Sequence, residues 1–184
     1  MAISTPTTPG QILTSAYVND NINSGLTYIN QFTLSGGTTN LTSIFSSSYD
    51  DYLLVVSGAT STAGVIDKFQ MLNATTPATT ANYNSVRWTA SNPSTFAQVL
   101  NATSGQLITT FTSPSSYVIN IYSPFSAAKT QLTATGVYNG STDLSFTESN
   151  SATHTLSTSY DGISFIATGT TWTAGKVTVY GYRK

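Results

Sequence analysis

From Tyr28 onward the chain is a succession of short β-type runs, each closed by a cluster of turn residues, and that punctuation limits it to an all-β architecture. The last two runs show the underlying period. Ile163, Phe165 and Ala167 alternate with Ser164, Ile166 and Thr168, and Val177, Val179 and Gly181 alternate with Thr178, Tyr180 and Tyr182. A period of two describes strands with one face in a core. These runs, joined by the loop Thr168 to Gly175, are expected to form a hairpin, with Val177 and Val179 inward and Tyr180 and Tyr182 outward. Further back, Leu53 to Val56 is an unbroken apolar run between Asp50-Asp51 and Gly58, as expected of a central strand buried on both faces. Phe69 to Leu72, Ser85 to Thr89, Phe96 to Leu100, Gln106 to Phe111, Tyr117 to Tyr122, Gln131 to Tyr138, Leu144 to Thr147 and Thr153 to Ser157 complete the series. Their even spacing predicts a jelly-roll-like β-sandwich over residues 32–184.

Composition agrees. Serine and threonine make up about a third of the chain and charged residues only 7%, against about a quarter charged in ordinary domains. Helix formers such as Glu, Lys and Arg are scarce, while Thr, Val, Ile and Tyr suit a pleated surface. The six basic residues, Lys68, Arg87, Lys129, Lys176, Arg183 and Lys184, are scattered and the net charge is −1. Phosphate backbones are gripped by clustered cations, so nucleic acid is not an expected partner. No lysine or arginine precedes Lys68 and no continuous apolar run occurs near the start. Neither a secretory signal nor a membrane span is therefore expected, and the protein is read as made soluble in a cytoplasm.

Residues 1–31 differ from the rest. Met1 to Gln11 holds Pro6, Pro9 and Gly10 without periodicity, an extended segment unable to build a core alone. Val18, Ile22, Leu26 and Ile29 then recur at spacings of four, four and three, which predicts one face of a short helix capped at Thr14 or Ser15. Asn19, Asp20, Asn21, Asn23 and Gly25 make that helix intrinsically weak, so its apolar stripe needs a surface. That surface is either an edge of the β-domain, or a partner or symmetry mate. Pro6, Pro9, Gly10, Leu13, Val18, Ile22 and Leu26 are accordingly the candidate anchoring residues.

Catalytic patterns are sparse. Seven acids are present, and only Asp50 and Asp51 are adjacent. Neighbours entering a strand face opposite ways, so this pair reads as turn chemistry rather than as two carboxylates across one cleft. His154 is the only histidine, and no Gly-X-Ser-X-Gly elbow accompanies it. It is expected to be a strand-surface residue bonded to a hydroxyl rather than the base of a triad. One histidine and no cysteine exclude the common zinc sites, no calcium loop or phosphate loop is present, and no cofactor is expected. The aromatic residues remain. Trp88 is read as inward, whereas Trp172, placed in a loop, and the outward Tyr180 and Tyr182 are candidates for stacking on glycan or for a protein interface.

Three stretches resemble a known class. Thr8-Pro9-Gly10-Gln11-Ile12-Leu13-Thr14-Ser15-Ala16-Tyr17-Val18-Asn19 resembles the opening of small tailed-bacteriophage virion proteins, departing from it where Tyr17 replaces a small residue. Ser48-Tyr49-Asp50-Asp51-Tyr52-Leu53-Leu54-Val55-Val56-Ser57 is similar to the second strand of their β-sandwich domains, and Val177-Thr178-Val179-Tyr180-Gly181-Tyr182-Arg183 to their final strand. The resemblance implies a non-enzymatic structural protein of the virion, assembled in the host cytoplasm. Its expected form is a capsid decoration or cement subunit, a homotrimer whose partners are the major capsid protein or other virion proteins. The alternative within the same class is a head- or tail-fibre module that recognises a host surface glycan.

Overall fold

The computed structural model describes residues 25–91, 93–140 and 145–183. Within them the regular structure consists of thirteen strands. In chain order they are β1 (Leu26–Thr33), β2 (Thr38–Leu41), β3 (Asp51–Ser61), β4 (Val65–Asn73), β5 (Thr76–Pro77), β6 (Tyr83–Ala90), β7 (Thr95–Ala102), β8 (Gly105–Thr110), β9 (Ser115–Tyr122), β10 (Lys129–Asn139), β11 (Ser145–Ser157), β12 (Gly162–Ile166) and β13 (Trp172–Tyr182). Eight form one antiparallel sheet in the order β1-β13-β3-β9-β10-β11-β6-β7, and a smaller sheet runs β2-β12-β4-β5 with β8 on β4.

Alternation builds the core between the two sheets. Leu54, Val56, Ile119, Ile121, Leu132, Val177 and Val179 reach it from the large sheet, and Phe69, Met71, Leu107, Ile163 and Phe165 from the small one. Tyr117 stands opposite Gly136 in the ladder between β9 and β10, and its own Cβ and backbone occupy the space that a side chain at Gly136 would need. A glycine in mid-strand is thereby explained by close approach rather than by a turn.

Val177 and Val179 are buried, while Tyr180 is half-buried and Tyr182 exposed, as the alternation requires. Val179→Asp is expected to cost about 3 kcal/mol or more, since it places an unpaired carboxylate among apolar side chains. Thr178→Asp, on the opposite face, should cost far less. Thermal melts of the two variants check this, and coincident melts would overturn the assignment of faces.

Several expectations are corrected. β12 and β13 are consecutive but do not pair: β12 lies between β2 and β4, and β13 between β1 and β3, in different sheets. Alternation reports that a strand has an inner face but not which strand lies beside it, and the chain between them crosses from one sheet to the other. Leu144 to Thr147 and Thr153 to Ser157 are not separate strands, because Ser145–Ser157 is one continuous strand. Leu53 and Val55 are half-buried on the outer face of β3, so that strand is not buried on both sides. Finally, Leu26 and Ile29 lie in β1, where Leu26 pairs with Tyr182. Pairing to β13 on either side of Ile29 outweighs the weak helical propensity of these residues.

Candidate functional site

Two regions concentrate chemistry: a set of polar groups inside the sandwich, and the outer face of the large sheet.

The buried groups follow from the position of β8. It pairs with β4 along one side, and its other edge is enclosed, so its backbone groups need partners from elsewhere. Inner-face side chains of β6 and β11 provide them. Ser85 Oγ accepts from the Gln106 amide at 3.0 Å, Asn150 Nδ2 donates to the Gln106 and Leu107 carbonyls, and Glu148 Oε2 accepts from the Thr109 amide at 2.6 Å. Glu148 Oε1 also accepts from Arg87 Nη1 at 2.5 Å, from the Thr89 hydroxyl at 2.9 Å and from the Thr109 hydroxyl at 3.2 Å. Glu148 is fully buried and the Arg87 side chain is 16% exposed.

Asp67 of β4 forms a second such site. Its two carboxyl oxygens accept from the Thr110 and Tyr117 hydroxyls, each at 3.0 Å. Burial pushes its pKa up to about 7, and these hydroxyls pull it back only partway. Burial likewise holds the Tyr117 phenol well above its ordinary range. Trp172 flanks the same carboxyl, although its indole Nε1 has no partner at normal hydrogen-bond geometry.

His154 is buried, which corrects the surface position expected for it. It occupies an inward position of β11 between the rings of Tyr83 and Tyr160, at centroid distances of 4.4 and 5.2 Å. Its Nδ1 lies 3.3 Å from the Tyr160 hydroxyl, and burial lowers its pKa. Its ring neighbours are therefore tyrosines rather than the serine and carboxylate of a triad. Arg87, Glu148, Asp67 and His154 each serve the packing of the sandwich and do not converge on an open cleft.

The outer face of the large sheet differs in kind. One row of cross-strand neighbours runs Tyr28, Tyr180, Leu53, Asn120, Thr133, Ser151, Val86, Gln98, and the next runs Gln31, Thr178, Val55, Val118, Thr135, Ser149, Trp88, Phe96. Neither row contains a charge. Asp51 and Lys176 stand at the margins. Tyr28 and Tyr180 meet edge to face at 6.1 Å, Tyr182 donates its hydroxyl to Asn120 Oδ1 at 2.9 Å, and Gln31 Nε2 donates to Thr178 at 3.0 Å. Most of the exposed large apolar side chains of the described residues belong to this face, among them Tyr28, Trp88, Phe96, Leu100, Val118, Tyr122, Val137 and Tyr182.

Of the residues singled out from sequence, Tyr180 and Tyr182 are together on this face, joined by Tyr28. Trp172 is not in a loop but opens β13; its amide donates to the Gly36 carbonyl, and its side chain is buried. Trp88 points outward, because the inward positions of β6 are taken by Ser85, Arg87 and Thr89. Leu26 is part of the sheet, and Pro6, Pro9, Gly10, Leu13, Val18 and Ile22 lie outside the described residues. Sequence reasoning missed Asp67, Glu148 and the exposed edge residues Phe96 and Leu100; an acid on the inward parity of a strand was the available signal for the first two. Comparison with known protein families, with curated proteins and with solved structures finds no match.

Proposed function

We propose that this chain is a structural subunit of a larger particle, a decoration or cement protein of the tailed-phage virion kind that its sequence resembles. The observation that carries the reading is the broad outer face of the eight-stranded sheet, which joins exposed apolar residues to hydroxyls and amides without a charge in its central rows. Such a face suits a protein surface better than a charged polymer. The buried acids and histidine support the same reading, since they are engaged in holding the two sheets together. A jelly-roll-like domain, an anchoring segment ahead of β1 that includes Pro6, Pro9, Gly10, Leu13, Val18 and Ile22, and the major capsid protein or another virion protein as partner belong to this proposal.

Removal of Met1 to Leu13 is expected to leave the melting temperature of the β-domain unchanged while abolishing attachment to the particle. A melt run beside a particle-binding assay checks both, and collapse of the melt would place those residues in the core. Imaging of purified particles, counting copies per particle, tests the virion assignment itself; absence of the protein from the particle would overturn it.

A second reading rests on the cluster of Tyr28, Tyr180 and Tyr182 beside Asn120 and Gln31. Phenol rings stack on sugars and amides bond their hydroxyls, so a fibre module that takes a neutral host glycan would use this corner. Titration with neutral oligosaccharides, read by tyrosine fluorescence, tests it, and a Tyr180→Ala protein that binds as the unsubstituted one does would remove it.

A further inference from the structure

We infer that β7 pairs edge to edge with β7 of a second copy of this chain, about a twofold axis at Gln98. This goes beyond the particle assignment and does not depend on it. β7 is the outermost strand of the large sheet, and it pairs with β6 on one side and with no strand of the described residues on the other. Exposed edges are ordinarily guarded by lysine, proline, inward charge or short length. The stretch Thr95-Phe96-Ala97-Gln98-Val99-Leu100 has no charged residue and no proline, and it is regular until the bulge at Asn101, where φ is +51°. The opposite edge differs: β1 is interrupted in its middle, between Tyr28 and Asn30.

The sequence of β7 is self-complementary. Phe96, Gln98 and Leu100 share the outer face and are exposed, Phe96 by 70% and Leu100 by 57%. Antiparallel pairing about Gln98 sets Phe96 of each copy against Leu100 of the other, twice, and Gln98 against Gln98. Apolar cross-strand pairs stabilise such a ladder. An amide both donates and accepts, so it pairs with its own copy as a carboxylate or an ammonium cannot. A twofold contact sets every residue against its own strand, and any charge near the axis would meet its like; β7 has none. On the inner side Ala97 meets Val99. Trp88 stands opposite Phe96 within one copy, so the apolar row extends across the axis and back. This contact gives even-numbered assemblies, where the resemblance implies a trimer.

Because the chain contains no cysteine, single substitutions test the register on the full-length protein. Directly opposed residues have Cα atoms about 4.5–5.5 Å apart, within disulfide range. Gln98→Cys is expected to form a symmetric disulfide at least about tenfold faster than Ser151→Cys in the middle of the same face, because pairing replaces a chance encounter. Phe96→Cys should cross-link only when mixed with Leu100→Cys. Sedimentation of the unsubstituted protein should give twice the 19.4 kDa of one chain, and Gln98→Lys, which opposes two cations at the axis, should return it to one. A monomer or a trimer in sedimentation, or a Gln98→Cys protein no faster than the Ser151→Cys control, would overturn the inference. Coverage of β7 by this chain's own residues 1–24, or by an unrelated protein, would appear as the monomer.

Discussion

Glu148→Ala is expected to lower the unfolding free energy by about 3–5 kcal/mol, the range for breaking a buried ion pair on one side. The loss is larger than that of an ordinary surface pair because the carboxylate has several donors at once. Without it the Arg87 guanidinium keeps a partly buried charge with no counter-ion, and the Thr109 amide on the enclosed edge of β8 loses its acceptor. Arg87→Met should cost a similar amount by the reverse route, leaving the carboxylate buried without its cation. The double variant Arg87→Met/Glu148→Ala should be less destabilised than the sum of its parts, since neither charge remains, but still weaker than the starting protein because the Thr109 amide stays unpaired. Chemical denaturation of the three variants measures this cycle. If Glu148→Ala unfolds with the unsubstituted protein, the carboxylate does not hold β8 in place.

The second large effect depends on pH. Asp67 has a folded pKa of about 7 against an ordinary value of 3.8. Between those values the folded protein holds a proton that the unfolded chain has released, so stability falls as pH rises across the window. The contribution is fully present below the ordinary value and lost as pH passes about 7. The difference between these two values corresponds to about 4 kcal/mol. His154 acts in the opposite sense: burial lowers its pKa below 6.5, so its contribution is lost as pH falls below that value. The informative quantity is therefore the difference from Asp67→Asn, which keeps the shape and cannot titrate. Denaturant unfolding from about pH 4 to pH 8 should show Asp67→Asn gaining on the unsubstituted protein by about 4 kcal/mol. Parallel curves would mean that Asp67 ionises in the fold as readily as in the unfolded chain.

How far the sequence reports this fold depends on what sets each element. Strands with a clean alternation, such as Val177 to Tyr182 and Tyr117 to Tyr122, were legible because one of their faces meets a core and the other does not. β8 was legible as a strand, but its enclosure was not, since the side chains that complete its hydrogen bonds come from β6 and β11, far away in sequence. For the same reason Glu148 went unnoticed: Glu148, Asn150 and Ala152 share the inward parity of β11, and polar residues at inward positions look like a break between two strands until their partners are known. Leu26 misled in the other direction, because spacings of four and three describe a helical face and say nothing of a neighbouring strand. Of the candidate site, Tyr180 and Tyr182 could be placed by parity alone. Trp172 could not, because its position depends on where β13 begins, and that is set by pairing with Ser61 and by the bridge to Gly36.

The pairing of β1 with β13 also fixes how the domain transmits force. Leu26 lies beside Tyr182, and the Arg183 amide donates to the Gly25 carbonyl, so the two ends of the described core leave from the same corner of the sandwich. A pull applied between them loads the rungs of that ladder one after another rather than together, because antiparallel hydrogen bonds lie across the strands. The domain would then open like a zipper, from Gly25 toward Thr33, at low tension. A load entering through one end and leaving through the outer sheet face instead shears many rungs at once. A domain held in that second way can carry strain that would peel it apart if it were tethered by both ends.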